Sequence, residues 1–499
     1  RSSDLTNQDI ILTNDQQKVV DGIIAHPKRV ALLHGVTGSG KTEVYLALAR
    51  YFLNKQKSVM MLVPEISLTP MMVKVFKERF GEQVAILHSR LSQGEKYDEY
   101  RRIKRQEVKI VVGARSAVFA PLENIGLIIL DEEHDASYKQ ESKPRYLTSQ
   151  IAKIRAQTHQ ATVVLGSATP SLESYSRALK GVYDLYELKN RINQMPLPTV
   201  EIVDMVNETR QRNYSLFSRR MKEQIQATID RHEQVILLLN KRGYATYLQC
   251  QDCGEVVKCP HCDVTLTYHK DEHQLKCHYC EYVQSYPQSC AHCGSTHFKT
   301  VGYGTQKIEE ELEKTFLNAK VIRYDVDTTK NKNSHFQLLE QFKKQKANIL
   351  LGTQMIAKGL DFENVTFVGV LNADLSLNVP DFRASERTFQ LLCQVAGRSG
   401  RGSKAGTVLI QTYNPEHYAI TCASHHDYQA FYQQEMLYRQ KALYPPYCHM
   451  VSILIQSKHE DILQIACQDI KNYLLAHTHQ CKILGPAHSV IYKIGRAHV

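Results

Sequence analysis

The stretch GVTGSGKT, Gly35–Thr42, matches the pattern G-x-x-x-x-G-K-[ST] at every fixed position. The apolar run from Arg29 to His34 predicts a short buried strand before it, and Glu43 to Phe52 predicts a helix after it. A loop between such a strand and helix aims backbone N–H groups and a helix N-terminus at phosphate. The chain around it is therefore expected to be α/β. Gly35, Val36, Thr37, Gly38, Ser39, Gly40, Lys41 and Thr42 are the candidates for holding ATP. Lys41 would reach the β- and γ-phosphates, and Thr42 would help hold Mg2+.

Further strands follow at the spacing of a parallel sheet: Ser58 to Pro64, Val84 to His88, Val108 to Gly113, Ile125 to Asp131 and Ala161 to Ser167. In such sheets the working crevice lies beyond the carboxyl ends of the strands. That rule selects Pro64, Glu65, His88, Ser89, Gly113, Arg115 and Ser116 as candidate contacts. The run ending at Asp131 is apolar until it meets Asp131-Glu132-Glu133-His134. Acids at the end of a buried strand need a cationic partner. With the phosphate loop nearby, Asp131 is expected on Mg2+ and Glu132 is expected to act as general base.

The 499 residues predict three or four domains. A net charge of +11 permits a polyanionic partner without identifying one. No apolar run reaches the roughly 18 residues of a membrane span, and the start lacks a secretory core, so a cytoplasmic protein with no membrane partner is expected. Eight of the 13 cysteines form four C-x-x-C pairs between Cys250 and Cys293. Four such knuckles supply ligands for two tetrahedral Zn2+ ions. In a nested arrangement a hairpin around KDEH joins Cys259, Cys262, Cys277 and Cys280, leaving Cys250, Cys253, Cys290 and Cys293 for the other ion. A sequential pairing is the alternative, with five residues between the first two knuckles. The end peptides RSSDL and IGRAHV match translations of common sequencing-adapter DNA, so the chain is expected to be a piece of a longer frame.

GVTGSGKT, LVPEISLT, VGARSAVFAP, DEEHDASYKQ and GSATPS together resemble the motifs of superfamily 2 helicases. Glu-Glu-His after the aspartate, followed by Ser-Tyr-Lys-Gln, resembles the PriA-type primosomal helicases, and the resemblance runs from about Leu12 to about Met450. It implies that Gln16 reads the adenine edge and that the segment after DEEH senses DNA. The matching positions are His134, Tyr138, Lys139, Arg145 and Tyr146, with Arg115, Thr353 and Lys358 as further DNA or coupling contacts. ESKPRYLTS departs from the family's usual glycine and aromatic before Arg-Tyr. Gly352, Thr353, Gln354, Lys358, Gly359 and Asp361 resemble the motif touching both DNA backbone and nucleotide. In QVAGRSGR, Gln394 would position water or phosphate, and Arg398 and Arg401 would act as arginine fingers.

The expected architecture is two RecA-like P-loop lobes with an inserted double zinc-ribbon-like module and a partial C-terminal α+β domain. Residues 1–11 read as a linker remnant, 12–189 as the ATP-binding lobe, 190–249 with 294–439 as the second lobe, 250–293 as the zinc insertion and 440–499 as the partial domain. The expected activity is ATP-driven, 3′ to 5′ DNA unwinding at stalled or branched forks in replication restart. Single-stranded and forked DNA, primosome proteins and single-stranded-DNA-binding proteins are the partners that the resemblance implies. The alternatives are a translocase that remodels duplex or branched DNA without unwinding it, and a zinc-dependent DNA-binding scaffold.

Overall fold

Seven strands share one sheet in the first part of the chain: β1 (Val30–Gly35), β2 (Ser58–Leu62), β3 (Val84–Leu87), β4 (Ile110–Gly113), β5 (Ile125–Asp131), β6 (Thr162–Ser167) and β7 (Asp184–Leu188). Their order is β3-β4-β2-β5-β6-β1-β7, and every pairing is parallel. The computed structural model describes residues 11–64, 69–88, 91–192, 197–239, 247–269, 273–301, 305–325, 328–329, 334–353, 356, 362–400, 404–457, 459–478, 481–487 and 497–498. β2 and β4 are buried along their whole length, because helices cover both faces of a parallel sheet. That is why these strands read as apolar runs and not as alternations. Helix α1 (Asn14–Ala25) starts from a capping box between Thr13 and Gln16. Helix α2 (Lys41–Asn54) buries Val44, Tyr45, Leu46, Leu48, Ala49 and Phe52.

The order β5-β6-β1 places the carboxyl ends of three strands side by side. His34 pairs with Ser167, and Asp131 pairs with Gly166. The phosphate loop, the acidic box and the Ser-Ala-Thr segment therefore emerge at one edge of one sheet.

The chain divides into two compact units, Arg1–Leu197 and Pro198–Val499, so the division falls beyond residue 189. The intervening residues stay with the first unit for a local reason. Val36 N–H donates to the Leu188 carbonyl at 3.0 Å, and Ile192 N–H donates to the Gly38 carbonyl at 3.1 Å.

The second unit holds a six-stranded parallel sheet made of β8 (Thr199–Asp204), β9 (Gln234–Leu238), β15 (Val321–Tyr324), β16 (Ile349–Gly352), β17 (Val365–Val370) and β18 (Thr407–Thr412). Its order is β15-β16-β9-β17-β18-β8. Between β9 and β15 the chain leaves the sheet and forms the cysteine-rich module from β10 (Tyr247–Cys250), β11 (Thr267–His269), β12 (Gln274–Lys276), β13 (Val283–Ser285) and β14 (Phe298–Val301). β10 pairs antiparallel with β14, Tyr247 opposite Val301 and Cys250 opposite Phe298. The module thus reaches beyond 250–293, because the strands that close it lie outside the outer knuckles.

The alternating sequence from His449 to Gln456 has the pattern of a strand, yet residues 449–455 form none. Among the described residues of this region the pairing is confined to Gln456–Ser457 with Ala497–His498, and Val451 and Ile453 stand exposed. Alternation makes a strand only where a second strand offers its edge. Among the described residues no helix is long and apolar enough to cross a membrane.

Candidate nucleotide site and zinc module

The loop after β1 is built to surround an anion. Gly40 adopts φ +76° and ends the loop with no side-chain cap, so the first N–H groups of α2 are left for a ligand. A Cβ at Gly40 would lie 2.3 Å from Gln16 Nε2 and 2.4 Å from Ile192 Cδ1. Ser39 Oγ is buried with no hydrogen-bond partner among the described residues, and Lys41 Nζ donates to the Gly35 carbonyl of its own loop at 2.7 Å. An orphaned hydroxyl, an uncapped helix and an ammonium folded onto its own backbone fit a phosphate chain, which would meet all three demands.

Gln16 is buried and is tied to this loop. Its Nε2 donates to the Ser39 carbonyl at 3.0 Å, and its Oε1 accepts Thr13 N–H at 2.9 Å. Reading an adenine edge would require the amide to exchange those partners for the base.

At the end of β5 the Asp131 carboxyl is pushed up to about 6, first by burial and then by the charge of Glu132, while Lys41 pulls it down. Tyr45 Oη donates to Asp131 Oδ1 at 2.9 Å. A carboxylate held unwillingly in its charged form favours a cation, so Asp131 and Thr42 suit Mg2+, which would screen phosphate charge when bound. Glu132 has φ +46°, a costly conformation for a non-glycine residue. Its Oε2 is buried and has no hydrogen-bond partner among the described residues, with His134 Nδ1 3.6 Å away. Such an oxygen is suited to take a proton from water.

Glu133 has a different task. It accepts Ser171 N–H at 2.7 Å and Ser174 Oγ–H at 3.0 Å, capping the helix Leu172–Leu179. His134 Nδ1 lies 2.7 Å from Ser167 Oγ, which also accepts Thr169 N–H at 2.9 Å. The acidic box is therefore tied at Ser167 to the Ser-Ala-Thr segment and at Ser171 and Ser174 to the helix that follows it.

The segment expected to sense DNA sits on this same edge. Tyr138 is buried, and its hydroxyl donates to the Asp131 carbonyl at 2.7 Å, with the Leu62 carbonyl 2.9 Å away. Its ring is enclosed and not exposed for a base to stack on. Arg115 points inward, donating to the carbonyls of Ser137 and Lys139 at 2.8 Å each, and Ser137 Oγ donates to the Pro64 carbonyl at 2.5 Å. Lys139 and Arg145 are exposed, and Tyr146 packs edge-on against exposed Phe119 at 4.9 Å. In the second unit, Thr353 follows β16, Gln394 is buried in the helix Ala384–Ala396, and Arg398 stands just beyond it, half-buried. Glu65, Ser89, Gln354, Lys358, Gly359, Asp361 and Arg401 lie outside the described residues.

The cysteines pair in the nested manner. Cys250, Cys253, Cys290 and Cys293 form one group and Cys259, Cys262, Cys277 and Cys280 the other, with the sulfurs of each group within 4.8 Å of one another. Four thiols so gathered, with none of them in a disulfide, are the donor set of a structural Zn2+ site. The four knuckles repeat one backbone pattern. Four residues after each first cysteine, the N–H of Gly254, Asp263, Glu281 or Gly294 returns to that cysteine's carbonyl at 2.8 to 3.0 Å. All four adopt positive φ, between 52° and 76°.

A family model for the DEAD/DEAH box helicases matches residues 13–178. The PriA DNA helicase Cys-rich region matches 259–284, and the helicase conserved C-terminal domain matches 292–403. The replication restart protein PriA of Treponema pallidum is 40% identical over 489 residues, covering 98% of this chain and 74% of the relative. The chain belongs to the PriA family. The PriA of Bacillus subtilis is 55% identical over 469 residues, and the chain spans 58% of its length. Among solved structures, Mss116p bound to single-stranded RNA and AMP-PNP matches at TM-score 0.50 and 15% identity, over 80% of this chain and 69% of that one, a likeness of fold.

Sequence reasoning missed four residues of this PriA-family site. Tyr45 looks like any buried helix residue, and Gly166 like any glycine. Yet a Cβ at Gly166 would lie 1.7 Å from Tyr45 Oη, so only glycine admits the hydroxyl to Asp131. Arg191 fell within 190–249, read as part of the second lobe, although its side chain lies 3.6 Å from where a Cβ on Gly38 would stand. The capping role of Glu133 was hidden inside a motif read only as acidic.

Proposed function

We propose that the chain is the motor portion of an ATP-dependent DNA helicase working in the cytoplasm at stalled or branched forks, where replication restarts. The observation that carries this reading is the joint between hydrolysis and loop. Tyr138 and Ser137 bond the exposed segment bearing Lys139 and Arg145 to the strand ends that carry Asp131 and Pro64. A strand of DNA pressing on that segment would be felt at the acids.

In this reading Lys41 neutralises phosphate charge, Glu132 takes the proton of the attacking water, and Gln394, Arg398 and Arg401 act on the γ-phosphate. Glu133 keeps the acidic box registered against the Ser-Ala-Thr segment. Thr353 and Lys358 would meet the DNA backbone. The 3′ to 5′ polarity, the forked substrate and the primosome and single-stranded-DNA-binding partners rest on the family resemblance. The test is ATP turnover with and without single-stranded DNA, followed by strand separation on a fork. Turnover indifferent to DNA would overturn the motor reading, and DNA-stimulated turnover without strand separation would reduce it to translocation.

A further inference from the structure

A continuous set of contacts joins the inner cysteine cluster to the helix that carries Gln394. Tyr444 donates its hydroxyl to the carbonyl of Cys262 at 2.8 Å. Its ring stacks on Phe382, centroids 4.9 Å apart and planes 13° from parallel. The backbone N–H of Phe382 donates to Tyr279 Oη at 3.3 Å, and Tyr279 stands between Cys277 and Cys280. A third tie runs from Tyr438 Oη to Asp263 Oδ2 at 2.8 Å, Asp263 being the positive-φ residue of its knuckle.

Phe382 is held from the helical side as well. The guanidinium of Arg439 lies 5.2 Å from its ring centroid. Arg439 is wholly buried and donates to Glu386 Oε2 at 2.7 Å, Glu435 Oε1 at 2.8 Å and the Pro445 carbonyl at 3.1 Å. Tyr418 Oη donates to the other oxygen of Glu435 at 2.5 Å. Glu386 belongs to the helix Ala384–Ala396, two turns before Gln394. A buried arginine held by two carboxylates cannot shift without stranding a charge in the interior. The contacts therefore have one arrangement, from Cys262 through Tyr444, Phe382 and Arg439 to Glu386. None of them uses a thiolate, so the metal-binding sulfurs and the docking contacts are chemically separate.

We propose that Phe382, Tyr444 and Tyr438 are positioning residues that lock the inner zinc ribbon to the helix Ala384–Ala396, so that the ribbon moves with the Gln394 end of that helix when nucleotide is bound. The inference rests on the motor reading for its use of nucleotide, but the docking itself is separately measurable. A ribbon anchored this way is driven by the second unit; a ribbon held only by its two connecting strands would drift independently of nucleotide.

The test is amide hydrogen exchange across 259–284, with zinc content determined on the same samples, with and without AMP-PNP and Mg2+. Phe382→Ala should keep two zinc ions per chain while exchange in the ribbon rises about tenfold. Tyr444→Phe, which deletes one oxygen and keeps the ring, should raise it about threefold, and it serves if the alanine variant fails to fold. In the unaltered chain nucleotide should change ribbon protection, and in Phe382→Ala that response should vanish. Unchanged ribbon exchange in both variants with both zinc ions held would overturn the proposal, and so would a nucleotide response of equal size with and without Phe382. If the unaltered chain bound no nucleotide, the motor reading would fail, and the basal exchange rates alone would decide the docking.

Discussion

Replacing Gly166 with alanine perturbs the tightest contact beside the acids. The new Cβ would lie 1.7 Å from Tyr45 Oη and 2.8 Å from its Cζ. Neither partner has room to yield. Gly166 lies inside β6, paired with Leu33 on one side and Asp131 on the other, and Tyr45 is fully buried. Relief requires Tyr45 to surrender its 2.9 Å bond to Asp131. Overpacking costs about 1–3 kcal/mol, and losing a hydrogen bond to a charged group costs about 1.5–3 kcal/mol. Gly166→Ala should therefore destabilise the first unit by roughly 3–5 kcal/mol. Tyr45→Phe should cost only the hydrogen-bond part. In the double variant the oxygen at the heart of the clash is gone and the bond is lost only once, so the combined cost should fall at least about 1.5 kcal/mol below the sum. Urea unfolding followed by hydrogen exchange in β5 and β6 reads all four corners of the cycle. Strictly additive costs, or an alanine variant as stable as the parent, would refute the reasoning.

Glu132→Gln should bind nucleotide normally and lose roughly 10²- to 10⁴-fold in turnover, read by nucleotide titration beside phosphate release; unchanged turnover would place the general base elsewhere. Arg398→Ala should lower turnover by about a thousandfold with single-stranded DNA affinity preserved, and the opposite pattern would make it a DNA-backbone contact. Cys259→Ser with Cys262→Ser should release one zinc ion per chain and unfold 259–284, because structural sites of this kind contribute about 10–16 kcal/mol in small peptides; the first unit should keep its urea midpoint. Asp374 accepts Tyr413 N–H at 2.8 Å in a buried site, and burial pushes its carboxyl up to about 6. A folded value above the unfolded one favours the protonated fold, so this contribution is complete below about pH 4 and is lost as pH rises through about 6. Asp374→Asn should flatten that loss by up to ~3 kcal/mol, measured as urea midpoints at several pH values.

The parts of the fold that are local in sequence were legible. Six of the seven strands of the first sheet follow from apolar runs, because a strand covered on both faces carries its burial in its own composition, whereas β7, a half-buried strand carrying Asp184 and Glu187, gives no such run. The phosphate loop was equally plain, since the chemistry needs glycines and Lys41 within eight consecutive residues. The nested cysteine pairing was less so. Spacing allowed two schemes, and the choice is made by β10 and β14, which are separated by the entire module and bring the outer knuckles together. The repeated positive φ was hidden for another reason. Glycine announces it at Gly254 and Gly294, while Asp263 and Glu281 adopt the same conformation without a compositional sign.

Tyr138 shows why residues that sense a ligand are harder to read than those that hold one. As an aromatic in the segment after the acidic box, it matches a position of the DNA-sensing loop that the family resemblance implies. Its surroundings come from three elements: the carbonyls of Leu62 and Asp131 receive or face its hydroxyl, and Thr148 Oγ1 donates to the Tyr138 carbonyl at 2.8 Å. Each is the end of a different element, and the sequence does not show that they meet. Arg115 follows the same logic, since a charge that would suit phosphate instead stitches together the backbone of Ser137 and Lys139. In the proposed motor, with the Tyr138 and Arg115 side chains bonded to backbone carbonyls, direct contact with DNA would fall to the exposed cations Lys139 and Arg145, and the inward pair would tie that contact to the strand carrying Asp131. In that reading sensing and transmission are divided between neighbours in sequence, and burial tells them apart.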